Sequence, residues 1–263
     1  MPSSAPICVA SVHRALPHVS KMELDASMSA LFDALAFHPV AQQKLLKLDL
    51  ILQTDTMIEH VENLGLPVAH PTAVIIVECE TLEHYIEVFK HPDIANLLSE
   101  AEARFGFKSG ASLFATDLVL RVDHEAPEEG SPRWAAMSIM KVPEDIHPKG
   151  HNDNLLPLFD DFVKMPLNEQ HLRKHAIWIP NDHMNAHLSE LGFPSTRESL
   201  LLALIEAETL KDLQEIIEHP TFADIFQGRT EHGHIFWRQR LLLCECDHED
   251  QQAVIEPKEV FDV

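Results

Sequence analysis

Histidine exchanges protons closest to neutral pH, and this chain carries 18 histidines in 263 residues. Two are placed to act as a pair: His13 ends the apolar run ICVASVH, and His38 lies in Phe37-His38-Pro39 at the close of a helical pattern. On facing elements of a pocket, one imidazole as base and the other as acid would enolise a phenolic or β-keto substrate. A second group is Arg173 and His175 in HLRKHAIWIP, where polar residues enter an apolar alternation, together with Arg238 and Arg240 in IFWRQRLLLCECDH. Arginines there would hold a substrate carboxylate or enolate, while exposed strand ends account equally well for Arg238 and Arg240. His183-x-x-x-His187 has the spacing of two metal ligands on one helix face, but a third ligand is missing and no metal is expected. There is no G-x-S-x-G elbow and no Gly-rich phosphate loop, which disfavours ATP and NAD chemistry.

These residues stand out because the chain resembles itself. TDTMIEHVENLGLP (54–67) lies against NDHMNAHLSELGFP (181–194), ETLEHYIEVFKHP (80–92) against ETLKDLQEIIEHP (208–220), and LFD at 31–33 against LFD at 158–160. In that alignment His60 and His187, His91 and His219, and His124 and His248 occur in both halves and are assigned to the scaffold. His13 and His38 face Met140 and Met165, Arg173 and His175 face Leu46 and Leu48, and Arg238 and Arg240 face Phe114 and Thr116. Polar residues present in one half only are the candidates for chemistry.

The elements that must position them follow one series in each half. A strand (ICVASVH, then WAAMSIM) precedes an amphipathic helix with Met28, Leu31, Phe32 and Leu35, or Leu155, Leu158, Phe159 and Phe162, on its apolar face. Strands KLLKLDLILQ and AVIIVECE follow, matched by HLRKHAIWIP and SLLLALIEA. A helix capped by Thr81 or Thr209 and a last strand complete β-α-β-β-α-β. The predicted fold is α+β, with two tandem ferredoxin-like units at 1–125 and 134–249, a turn-rich linker at 126–133 and an acidic tail at 250–263. Helices cover one face of each sheet, so the two apolar faces left over are expected to close on each other into an α/β barrel.

The excess of 42 acidic over 20 basic residues, a formal charge of -22, disfavours nucleic acid and anionic lipid as partners. No run approaches the roughly 20 apolar residues of a membrane span, and the opening lacks signal-peptide order, so a cytoplasmic protein with reduced cysteines is expected. The element order, Phe37-His38-Pro39, and the stretch from TLEHYIEVFKHP to Val122-Asp123-His124 resemble the EthD-like members of the dimeric α/β-barrel superfamily. That resemblance implies a small-molecule enzyme of aromatic or polyketide metabolism that works without a cofactor, although some relatives bind haem. The expectation is histidine acid-base catalysis by His13, His38 and His175, with Arg173 and Arg240 binding substrate, in a cyclisation, decarboxylation or isomerisation. The alternatives are a cofactor-free monooxygenase, a non-catalytic small-ligand or haem-binding protein, and an interaction protein hinted at by the acidic tail. A monomer is expected if the barrel closes within one chain, a homodimer if the family's habit of pairing holds.

Overall fold

The alternation in ICVASVH sends the two faces of one strand to two different cores. Cys8, Ala10 and Val12 point one way, Val9, Ser11 and His13 the other, and all six are buried. In a computed structural model that describes residues 6–56, 58, 62, 70–124, 133–141, 148–190, 200–222 and 239–246, this strand is β1 (Ile7–Arg14). It is followed by α1 (Lys21–Ala36), α2 (Pro39–Lys44), β2 (Leu45–Leu52), β3 (Thr72–Cys79), α3 (Leu82–Phe89), α4 (Pro92–Phe105) and β4 (Ala111–Asp123). The second half repeats the order in β5 (Arg133–Lys141), α5 (Pro148–Val163), α6 (Pro166–His171), β6 (Leu172–Pro180), α7 (Asp182–Glu190), β7 (Leu200–Ala207), α8 (Leu210–Glu218) and β8 (Gln239–Cys246). The linker assigned to 126–133 lies outside the described residues except for Arg133, which opens β5, and so does the acidic tail.

Local chemistry starts the helices, at Thr81 and Thr209 where the sequence predicts and at Ser20 besides. Ser20 and Glu23 form a capping box on α1, and the Thr81 and Thr209 hydroxyls accept the N–H groups of His84 and Asp212 at 3.3 and 3.1 Å. His38-Pro39, His91-Pro92 and Met165-Pro166 each put proline in the first turn, where its missing N–H is not needed.

All eight strands join one sheet in the order β2-β3-β1-β4-β6-β7-β5-β8, antiparallel throughout. The first four are the ferredoxin-like order and the second four repeat it. Strand β4 joins them: Ala111 to Thr116 pair with β1, and Thr116 to Asp123 pair with β6. At the switch the Ala115 backbone would lose its partners on one side, and α7 and the residue before it supply them, with Asn185 Oδ1 accepting Ala115 N–H at 2.6 Å and Asn181 N–H donating to its carbonyl at 2.9 Å. The outer strands β2 and β8 come back into contact, so the sheet curves into a barrel.

Three cores result. Helices and sheet of the first half enclose Met28, Phe32, Leu48, Tyr85 and Ile94, and those of the second enclose Phe159, Phe162, Leu213 and Phe222. The inner core joins the halves, with Cys8, Ala10, Val12, Val74, Ile76 and Phe114 against Met137, Ile139, Trp178, Leu202 and Leu204. Among the described residues no helix is long and apolar enough to cross a membrane.

Replacing Met137 by Ala removes a side chain wholly enclosed between the halves and is expected to destabilise the protein by about 2–5 kcal/mol. Denaturant unfolding followed by circular dichroism and tryptophan fluorescence should show one coincident transition, moved to lower denaturant. Two separated transitions would mean that the halves unfold independently.

Candidate active site

Residues two apart on a strand share a face, so Ser11 and His13 both look from β1 toward the helices. Leu35 of α1, Tyr85 and Phe89 of α3 and Leu98 of α4 stand opposite and leave a cavity of about 400 Å³. Its walls are mostly aliphatic and aromatic; the polar residues among them are Ser11, His13, Tyr85, Lys90 and Lys108.

His13 is fully buried and bonded on both sides. Its Nδ1 lies 3.1 Å from the Phe107 carbonyl oxygen, and its Nε2 lies 2.9 Å from Ser11 Oγ. A carbonyl only accepts, so Nδ1 carries the hydrogen, and in the neutral ring Nε2 then accepts the Ser11 hydroxyl proton. Burial lowers the His13 pKa to about 4, against a smaller opposite pull from the Phe107 carbonyl. The Phe107 ring stacks on the imidazole at 4.3 Å.

The turn that delivers Phe107 is built for this approach. Helix α4 ends at Gly106 in the left-handed region, φ 74°. The Glu102 carboxylate accepts the Lys108 and Ser109 N–H groups at 2.6 and 3.1 Å and also the Ser109 hydroxyl; these bonds, the hydroxyl first, hold its pKa below the usual carboxylate range. At Gly110 a Cβ would stand 2.3 Å from the Arg14 carbonyl oxygen, so only glycine lets the turn close on β1.

The other predicted site residues are not brought here. His38 does not line the cavity: its Nδ1 accepts Val40 N–H at 3.3 Å as the cap of α2, and its ring meets His91 at 4.9 Å. The expected His13–His38 pair is therefore not formed. His175 lies on the helix side of β6 between Phe159 and Phe162, ring centroids 5.2 and 5.8 Å away, with neither nitrogen hydrogen-bonded among the described residues. Burial lowers its pKa to about 3, with Arg121 adding to the effect. Arg173 does not share its face, because a bulge between Leu172 and Lys174 turns the side chain outward onto Glu208 at 2.6 Å and the Gln170 carbonyl at 3.0 Å. The same bulge occurs between Leu45 and Lys47, where Leu46 is exposed, so position 173 is an outward position of the shared scaffold. Arg240 pairs with Ile139 as Ser112 pairs with Val12, which makes Ser112 its counterpart and corrects the alignment with Thr116; its side chain and the whole of Arg238 lie outside the described residues.

Sequence reasoning missed Ser11, although Ser11-x-His13 on a strand already puts both on one face. It missed Phe107 and Lys108 because nothing local marks a turn as closing on a strand ninety residues away, and Lys90 because only packing brings the end of α3 to the cavity. Three-ligand groupings of metal-binding side chains among the described residues are His38, His91 and Asp93, and His171, Asp212 and Glu215, rather than the His183–His187 pair on α7.

No family model matches the sequence, and no curated protein is significantly similar to it. Solved structures do match. A candidate monooxygenase of Fusobacterium nucleatum superposes with a TM-score of 0.55 at 9% identity, over 93% of this chain and 94% of its own. An anthrone oxidase-like protein gives 0.55 at 8%, over 92% and 91%, and a candidate monooxygenase of Lactobacillus acidophilus gives 0.50 at 6%, over 95% and 96%. At such identities the likeness shows the fold, a ferredoxin-like α+β barrel.

The expectation of a site without a cofactor is corrected: matches also include a chlorite dismutase of Candidatus Nitrospira defluvii and aldoxime dehydratases, which are haem proteins. Their TM-scores of 0.44 and 0.33 place no haem in this chain. Haem needs an axial nitrogen free to face it, yet both nitrogens of His13 are engaged, and Phe159 and Phe162 stand against His175. Neither His13 nor His175 is therefore free to face a haem.

His13 and His175 make the fold acid-sensitive. Each has a folded pKa below its ordinary 6.5, so the unfolded chain takes up the proton first as pH falls. The stability they contribute is complete above about pH 6.5 and is lost toward pH 4 for His13 and pH 3 for His175. Each should account for about 2 kcal/mol of the loss between pH 7 and pH 5. Chemical denaturation at those two pH values should show the loss shrinking by that amount in His175→Leu; an unchanged loss would mean that His175 titrates normally in the fold.

Proposed function

We propose that this chain is an enzyme that deprotonates and then oxidises a small, mostly apolar molecule held between sheet and helices of its first half. The observation that carries the reading is the hydrogen-bonded Ser11–His13 pair in the wall of a mostly apolar cavity. A phenol or enol placed against Ser11 Oγ gives its proton to that oxygen while the Ser11 proton passes to His13 Nε2. The Nδ1–H of His13 stays on the Phe107 carbonyl, which faces the imidazolium with its negative end. An imidazolium alone is disfavoured in this burial, but it forms together with the substrate anion, and the two offset each other's desolvation. Lys90 and Lys108 add positive charge along the lining.

The electron-rich anion is the form that gives electrons to dioxygen. Oxidation is preferred to cyclisation or decarboxylation because the structures with TM-scores of 0.50 and above are named as candidate monooxygenases and an anthrone oxidase-like protein. The resemblance to EthD-like proteins agrees with this substrate class.

Oxygen consumption measured across a panel of phenols, anthrones and β-keto compounds tests the proposal. With any accepted substrate, Ser11→Ala and His13→Leu should each lower kcat by about 10²–10⁴-fold. Because the base must be neutral and His13 protonates only near pH 4, kcat/KM should stay level from pH 7 to about 5 and fall below that. Full activity in both variants would remove the pair from the chemistry.

A further inference from the structure

We propose a binding site for a divalent first-row transition metal formed by His38, His91 and Asp93, where the corner between α1 and α2 meets the corner between α3 and α4. It is independent of the cavity chemistry. The ligand atoms of the three residues lie within 4.8 Å of one another. His38 Nε2 and His91 Nδ1 stand 3.8 and 3.9 Å from the same Asp93 oxygen. Around an ion with metal–ligand distances near 2.0–2.1 Å, tetrahedral donors sit roughly 3.3 Å apart, so the two distances to the exposed Asp93 oxygen have to shorten by about half an ångström when an ion enters.

The second half shows that this arrangement is not simply how such corners are built. There the imidazole before the proline caps its helix: His219 Nδ1 accepts Thr221 N–H at 3.2 Å. His91 occupies the same place before Pro92 and makes no cap; its Nδ1 is buried without a hydrogen-bond partner and is turned to the Asp93 carboxylate instead. Met165 stands where His38 does, and Thr221 follows His219-Pro220 where Asp93 follows His91-Pro92, so the second half lacks two of the three ligands. Pro92 fixes the backbone between His91 and Asp93 and holds those two donors in register before any ion arrives.

His38 shows what binding requires. Its Nδ1 accepts Val40 N–H, so in the metal-free protein the hydrogen is on Nε2, facing Asp93. Coordination through Nε2 takes the other tautomer and gives up the long Val40 contact. Two imidazoles and one carboxylate suit Zn²⁺, Fe²⁺ or Co²⁺, and three protein ligands leave coordination positions open to water or an exchangeable ligand.

The test is titration of the metal-stripped full chain, without a histidine tag, with Co²⁺, read by visible absorption and calorimetry and followed by displacement with Zn²⁺. One ion per chain is expected. His91→Gln and Asp93→Asn should each weaken binding at least tenfold, since losing a ligand costs no less than losing an outer-shell partner, which is worth about 10–100-fold. Circular dichroism should be unchanged in His91→Gln, whose imidazole makes no cap. His171→Gln, in the other three-ligand group, should bind as the wild type does. Absence of saturable binding, undiminished binding in His91→Gln and Asp93→Asn, or loss of binding in His171→Gln would each overturn the proposal.

Discussion

A four-stranded sheet with helices on only one side leaves an apolar face that water will not tolerate, and here the face that covers it comes from the same chain. Ala10, Val12, Val74, Ile76 and Phe114 of the first half meet Met137, Ile139, Trp178, Leu202 and Leu204 of the second in the inner core. Strand β4 makes this contact continuous by passing from β1 to β6 within one run, and α7 repairs its backbone bonding at the crossing. With the inner faces packed on each other, the outer faces under the helices are left to hold a cavity.

The described cavity lies there, and its polar wall comes from contacts distant in sequence. Ser11 and His13 are neighbours on β1, but the His13 tautomer is set by a carbonyl from the turn after α4. That turn depends on Glu102, on the left-handed Gly106 and on the missing side chain of Gly110. A buried imidazole with one nitrogen donating to a carbonyl and the other accepting a hydroxyl is a fixed neutral group whose only path for a proton leads through serine.

Comparing the halves in three dimensions separates scaffold from departure more sharply than alignment does. The bulge at Leu46 recurs at Arg173, which explains why an arginine can stand in an otherwise apolar strand. Lys44 of α2 pairs with Glu87 of α3, whereas His171, at the position of Lys44, pairs with Asp212, which stands at the position of His84 rather than of Glu87. At Thr81 and Thr209 the side chains do for their helices what their sequence position suggests. At His91 the side chain has left the role that His219 keeps.

Much of the fold was readable in the chain because its signals are local. Alternation marked β1, β2 and β6, helical spacing put Met28, Leu31, Phe32 and Leu35 on one buried face, hydroxyls marked helix starts, and the repeated segments implied one order of elements twice. His13 was also readable as a candidate, since it is polar on an apolar strand of one half only. What the chain could not reveal depends on register and on distant contacts. A one-residue bulge reverses a side chain without any change in composition, so Arg173 and His175 looked like neighbours on one face and are not. His38 looked like the partner of His13 because both were unmatched, yet the packing of two helix corners sends it to His91 and Asp93. Sequence set which residues face in and which end a helix, because those choices are made within a few residues; tertiary structure alone decided which buried polar groups met, because that requires chain closure over nearly a hundred residues.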